Sequence, residues 1–517
     1  MTTTFDSEDG LIAGMQRRDF LRGIAALGMG LPLTGLGLSG VFAQDAAPKA
    51  GGILTFNLTA SPSNFDPMSN GSSTTLGIIS PCYNSLVRFD PMDPNTVVGD
   101  LATSWEVSGD GKTYTFHLAE GVLFHDGVPM TSADVKTTFD WIRNPPEGIV
   151  SNRKGMLEVV ENIDAPDEKT VVFTLKRPLG SFLNNLSSGW MLVQPKHVLE
   201  STGAMKDVIV GTGPFKLKEI VSGVSIELEK NADYWVDGLP YLDGIKAFVI
   251  PDQGATWNYL QNGQLHIFMS IQGQEAGQYT TGGDVTVLDS PSTSVIAVTF
   301  NTEMEPFSNP ELRKAASLAI DRATALEVGQ RGQGAFGGAV MPGPWSLGET
   351  ELQAIPGYGT DVEANLAEAR RIMEEQGYGG GLDVKLLVRR IALFEPIGVL
   401  LKDAWAKIGI NVTLDLQENA SFFEAQDKRS YQAVVSGGSF NSNDPGDLRD
   451  YVTCGAANNY SEFCVETNDV AFKAFDEALD PTERKSLANA WEASFLASHP
   501  VFYMYWRKRF MGVHNTV

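Results

Sequence analysis

Side chains able to catalyse, hold a metal or recognise charge are spread thinly along this chain. Six histidines (His117, His125, His197, His266, His499 and His514) are scattered through 517 residues. His117 and His125, eight apart across what reads as a hairpin, are the one pair to weigh for a metal, and structural histidines with satisfied ring nitrogens are the commoner outcome. Two glycine triplets have dinucleotide-cradle spacing, Gly35/Gly37/Gly40 and Gly332/Gly334/Gly337. Such a cradle needs its glycines after a strand and opening a helix, whereas the first triplet lies in an N-terminal targeting segment and the second follows a helix. Both are chance matches. No phosphate-loop lysine motif, zincin helix or nucleophile elbow is present. Nothing nominates a catalytic set, so a binder without catalytic residues, metal or cofactor is expected. Cys454 and Cys464 are close enough to bridge in an oxidising compartment, leaving Cys82 single; three buried thiols are the alternative.

The elements that must position any site come from composition and periodicity. At 517 residues, two or more domains are expected, and 43% hydrophobic with 20% charged residues is ordinary for a globular chain. A formal net charge of -24 argues against nucleic acid or anionic lipid as partner, because both require clustered Lys and Arg. The N-terminus reads as an address. Gln16-Arg17-Arg18-Asp19-Phe20-Leu21-Arg22 resembles a twin-arginine export signal, an uncharged glycine-rich run follows from Gly23, and Val41-Phe42-Ala43 offers a signal-peptidase site. Cleavage after about Ala43 and a periplasmic location are expected; the alternative is an uncleaved anchor.

From Gly52 to about Val287 the text is strand-rich. Thr113–Leu118, Val171–Leu175 and Val224–Leu228 alternate apolar and polar with period two, and Thr131 caps a helix whose apolar side is Val135, Phe139 and Ile142. From about Val295 strands alternate with helices. Asn309-Pro310 opens a helix with Leu312, Ala315, Ala316, Ala319 and Ala323 on one stripe; another carries Leu366, Ala369, Ile372 and Met373 and stops at Gly377. Strand Val384–Val388, a helix with Leu401, Ala404, Trp405 and Ile408, and strand Ile410–Leu416 make a unit that favours a parallel, helix-covered sheet. The Gly- and Pro-rich stretch Gly329–Gly348 reads as a surface loop.

Several segments, in order, resemble the family 5 solute-binding proteins, the peptide and nickel receptors of ABC importers. They are Asp100-Leu101-Ala102-Thr103-Ser104-Trp105-Glu106 with Gly111–Leu118, Gly121–Gly127, Gly211-Thr212-Gly213-Pro214-Phe215, Asn231–Trp235 and Leu318-Ala319-Ile320-Asp321-Arg322. The resemblance implies an α/β, two-lobed periplasmic binding protein of type II, peptide-receptor-like, with an extra subdomain in lobe I. Lobe I would span 44–292 with the subdomain at about 86–200, lobe II 293–498, and 499–517 would return to lobe I, through Phe502–Trp506. The function implied is capture of a peptide-like or other small organic solute between the lobes and delivery to a membrane permease, by a monomer. An exported hydrolase on the same scaffold and a metal-chelate receptor are the alternatives.

The resemblance also implies the site. The dipeptide receptors bind the ligand's amino group with an aspartate in a Gly-Trp loop of lobe II. The matching loop here is Gly437–Pro445, with Asn441 at the aspartate's place, Ser439 and Phe440 beside it, and Asp444 available for charge or, equally, for capping the turn before Pro445. Asn441 is neutral and offers no ion pair to an ammonium, which argues against a plain dipeptide. Arg389 and Arg390 end the strand at Val388; one of the two should face the ligand's acidic group, and Arg389 is chosen. The segment around Cys454 and Cys464, with Asn459-Tyr460-Ser461, resembles a disulfide-pinned loop of some family members.

Overall fold

A mixed sheet of eleven strands runs through the molecule, and two of its strands belong to both lobes. The computed structural model describes residues 48–517 apart from Gln274 and Asn441, so the export signal and its cleavage point lie outside the described residues. After β1 (Ile53–Leu58) the chain leaves the main sheet for a ribbon, β2 (Val87–Phe89) and β3 (Val97–Gly99). A separate antiparallel sheet follows, made of β4 (Ala102–Val107), β5 (Thr113–Leu118), β6 (Val160–Asp167) and β7 (Thr170–Leu175) in the order β4-β5-β7-β6. The alternation in β5 is real burial: Tyr114, Phe116 and Leu118 point into the core and His117 is exposed. Thr131 and Asp134 form a capping box on the helix Ser132–Arg143, which buries Val135, Phe139 and Ile142 as expected.

The main sheet resumes with β8 (Phe215–Val221), β9 (Ser225–Lys230), β10 (Gly244–Val249) and β11 (Ile267–Ile271). It continues with β12 (Val285–Phe300), the two-residue β13 (Gly334–Ala335), β14 (Leu382–Arg389), β15 (Ile410–Gln417), β16 (Ala433–Ser439) and β17 (Val501–His514). The order is β15-β14-β16-β12-β17-β11-β1-β10-β9-β8. β14 and β15 are parallel, joined by the helix Glu395–Ala406 that buries Leu401, Ala404 and Trp405, so the strand–helix–strand reading holds.

β12 and β17 are the crossing strands. Val285–Pro291 pairs with Lys508–His514; the register then shifts, and Val295–Thr299 pairs with Val501–Trp506. One buried core gathers residues from Phe56 to Ala247, a second gathers residues from Val295 to Trp506, and a small third one joins Leu260, Phe268 and Phe510. Phe502–Trp506 therefore packs with the second lobe, and the return expected through it is made instead by Lys508–His514. Phe502–Trp506 is a continuous apolar run buried at every position, and nothing local in it says which partner each half of β17 takes.

Two further expectations fail for local reasons. The helix after Asn309 ends at Leu318, and Asp321 caps a new one, Arg322–Gln330, so Ala323 leaves the buried stripe and is exposed. The stretch Gly329–Gly348 is only partly a surface loop, because Gly337, Gly338, Ala339 and Val340 are buried. Glu492 holds it in place, its carboxylate accepting from the amides of Val340 at 2.9 Å and Leu347 at 3.1 Å, and Trp506 Nε1 donates to the Gly338 carbonyl. No helix among the described residues is long and apolar enough to cross a membrane.

Candidate ligand cleft

β16 brings the loop Gly437–Pro445 to the place where β12 changes register. Phe440 is tied there by a two-way link: its amide donates to the Thr293 carbonyl at 3.1 Å, and Thr293 Oγ1 donates back to its carbonyl at 2.7 Å. Gly437 sits close to its neighbours: a Cβ there would stand 3.1 Å from the Phe394 ring and from the Val295 carbonyl. The loop borders a cavity of about 240 Å³ whose lining includes Ser439, Phe440, Phe423, Gln426, Tyr451 and Tyr460. Phe440 meets Tyr451 edge-on at 5.3 Å and Trp506 at 5.9 Å. Burial raises the phenol pKa of both Tyr451 and Tyr460, so each is a neutral hydroxyl that can donate or accept. The wall is aromatic and amphipathic, suited to a small organic body with a few polar groups.

Arg389 ends β14 with its guanidinium over three rings, Phe394 at 5.0 Å, Phe423 at 5.4 Å and Phe422 at 6.0 Å. Its side chain has no hydrogen bond or ion pair among the described residues, Nε is buried without an acceptor, and burial lowers its pKa. Arg389 does not itself line the cavity; Phe423, which lies under its guanidinium, is the residue that links the two. Arg390 points elsewhere, exposed and 3.6 Å from Glu418. Ser439 is exposed and Phe440 half-buried, both on the cavity wall; Asn441 lies outside the described residues.

Asp444 is not available to a ligand. It is buried, and Arg484 binds it with both terminal nitrogens, Nη2 to Oδ1 at 2.6 Å and Nη1 to Oδ2 at 2.7 Å. Oδ1 also accepts from the Gly446 amide at 2.7 Å, which caps the short 3-10 turn Pro445–Leu448. Of the two roles weighed for this residue, capping is the one it performs, and the charge is spent on an arginine far along the chain that no local pattern reveals. Oδ2 takes a further bond from Asn184 Nδ2 at 2.8 Å. Asn184 stands beside Leu183 and Leu186 of the first core, so this bond joins the lobes. Arg177, paired with Asp476 at 2.9 Å, and Asn95, bonded to Asn443 at 2.6 Å, join them as well.

Cys454 and Cys464 form a disulfide, and Cys82 is a buried free thiol. Between the two bridged cysteines lie Asn458, Tyr460 and Ser461, all on the cavity wall. The histidines considered for metal stand apart in role: His117 is exposed on β5, whereas His125 is half-buried with Nε2 3.1 Å from the Gly213 carbonyl. Phe423, Gln426, Tyr451 and Tyr460 were missed by the sequence reading. Only Tyr460 carried a signal, its place in the Asn-Tyr-Ser segment.

A profile of the bacterial extracellular solute-binding proteins, family 5, middle region, matches residues 96–460. The chain belongs to that family. The dipeptide-binding protein of Escherichia coli K12 is 25% identical over 480 residues, covering 86% of each chain. A binding protein from A. tumefaciens R10, solved with agropinic acid, is 27% identical with a TM-score of 0.73 over 90% of this chain and 93% of that one. The Helicobacter pylori protein solved with the peptide STSA has the same TM-score at 24% identity, covering 90% and 94%. This family 5 protein is therefore the solute-binding component of an ABC importer, a two-lobed extracytoplasmic receptor. Its relatives bind solutes, and neither the hydrolase nor the metal-chelate alternative is favoured.

Proposed function

We propose that the protein captures a peptide-like solute, or an amino-acid or sugar conjugate, that carries an acidic group, and hands it as a closed complex to a membrane permease. Arg389 would take the acidic group, Ser439 and Asn441 its polar atoms, and Phe440 with Phe423 its apolar body. The observation that carries this reading is the unpaired Arg389 guanidinium over Phe423, a residue of the cavity wall, because a part-buried cation without a partner favours an anion when one is offered. The relatives support the class: one is named for dipeptides and another was solved with agropinic acid. Asn441 in the loop argues for a ligand whose recognition does not rest on an ammonium–carboxylate pair.

Export through a twin-arginine signal, cleavage after about Ala43, a monomeric state and a periplasmic location complete the reading. Native mass spectrometry of the freshly purified protein tests the ligand class. Release of an acidic small molecule is expected; a cargo with no acidic group, or one that the protein converts, overturns it. N-terminal sequencing of the exported chain should begin near Gln44.

A further inference from the structure

A second cavity, of about 590 Å³, opens on the second lobe and shares no lining residue with the cleft cavity. That volume falls within the range of small-molecule sites, about 300–1,000 Å³. Its wall is largely apolar, with Phe336, Leu352 and Val362; it carries one cation, Arg322, and two carboxylates, Asp321 and Glu349, the latter accepting from Gln353 Nε2 at 2.9 Å. Arg322 is only 9% exposed, and no carboxylate pairs with it among the described residues. Asp321, its neighbour in the cavity wall, is occupied as a helix cap by the Ala323 amide and the Thr324 hydroxyl.

The guanidinium is held rigidly. Nε donates to the Met504 carbonyl at 3.0 Å, Nη2 donates to the Gly337 carbonyl, and the plane lies near the rings of Tyr358 at 4.7 Å and Phe336 at 5.0 Å. Nη1 has no acceptor among the described residues. Two carbonyls and two aromatic faces offset part of the cost of burying this charge, and no counter-charge of the described residues offsets the rest. Burial lowers its pKa to about 10, which leaves it charged at neutral pH. Nη1, without a protein acceptor, is not sealed off: it stays accessible to whatever occupies the cavity that Arg322 lines.

We propose that this cavity is a second ligand site, taking a small carboxylic acid with an apolar tail. The carboxylate would accept from Nη1 of Arg322, and the tail would lie against Phe336, Leu352 and Val362. The site is independent of the cleft: a failure of one reading leaves the other standing.

Octanoate is a suitable probe, titrated by calorimetry into the full-length protein. Since Arg322 also holds Met504 and Gly337, Arg322→Met risks the fold, so the deciding variant is Ala323→Trp. Ala323 is exposed at the cavity wall and takes no part in the guanidinium's own bonds, so a bulky side chain there should occlude the cavity and leave those bonds in place. Octanoate is expected to bind the wild type, roughly tenfold or more weaker to Ala323→Trp with an unchanged thermal melt, and equally well to Arg389→Ala. Octanol, lacking the charge, should bind roughly tenfold or more weaker than octanoate. No binding to the wild type, no loss in Ala323→Trp, loss in Arg389→Ala, or equal binding of octanol would each overturn the proposal.

Discussion

Arg389 and Arg484 stand in opposite circumstances. Arg389 has rings around it and no counter-ion among the described residues, whereas Arg484 has its counter-ion, Asp444, fully buried with it. Replacing Arg389 with alanine should cost an acidic ligand about 1.5–3 kcal/mol, roughly ten- to hundredfold in affinity by calorimetry, because a charge-assisted hydrogen bond is lost. The melting temperature should barely move, since no protein partner is left unsatisfied. Asp444→Asn should behave in the other way. Breaking a buried pair while leaving its cation in place costs about 3–5 kcal/mol, read as a lower urea midpoint, and Arg484→Met in the same chain should recover part of that loss. If Asp444→Asn leaves stability intact but abolishes binding, the assignment of Asp444 as structural is wrong.

Loops, rather than strands, carry the second set of consequences. The disulfide closes a ten-residue separation that presents Asn458, Tyr460 and Ser461 to the cavity. Cys454→Ser with Cys464→Ser should lower stability by roughly 2–3 kcal/mol and weaken ligand binding, because the loop's freedom must then be lost on binding. Glu492 offers a pH test. Burial raises its pKa from 4.5 to about 7, so the folded state holds a proton that the unfolded chain releases. Its stabilising contribution is complete below pH 4.5 and is lost as pH rises to 7, a span of roughly 3 kcal/mol. His125 and His499, both pushed down to about 4 by burial, work in the opposite sense and cost stability as pH falls below 6.5. The difference between wild type and Glu492→Gln isolates the carboxyl: it should shift in the variant's favour as pH rises from 4.5 to 7, and a flat difference would remove Glu492 as the cause. Most elements were legible in the sequence because their signals are local: the Thr131 capping box, the Asn309-Pro310 start, the alternation of β5. Asp444 and the buried run Gly337–Val340 were not, because their partners, Arg484 and Glu492, lie tens to more than a hundred residues away. The alternation of an extended strand says that at most one of Arg389 and Arg390 faces a ligand, not which, and the structure gives the two different surroundings.

At the scale of the whole molecule, the loop Gly437–Pro445 that borders the cavity also carries two of the contacts between the lobes. Asn443 and Asp444 follow directly on the cleft residues and bond to Asn95 and Asn184 of the first lobe, while Arg177 adds the pair with Asp476. A ligand can favour the shut form only through contacts it makes better there, and these bonds set how much help it needs. Arg177→Ala should enlarge the radius of gyration of the ligand-free protein in solution scattering and lower ligand affinity several-fold, without touching the cavity. An unchanged radius would separate the pair from closure. β12 and β17 have a different consequence, one for synthesis. Along the sheet, Val285–Pro291 pairs with Lys508–His514, more than two hundred residues further on. Until those residues have been made, this edge of the first lobe has no strand beside it, and a chaperone that covers the edge would protect the nascent chain from pairing it wrongly.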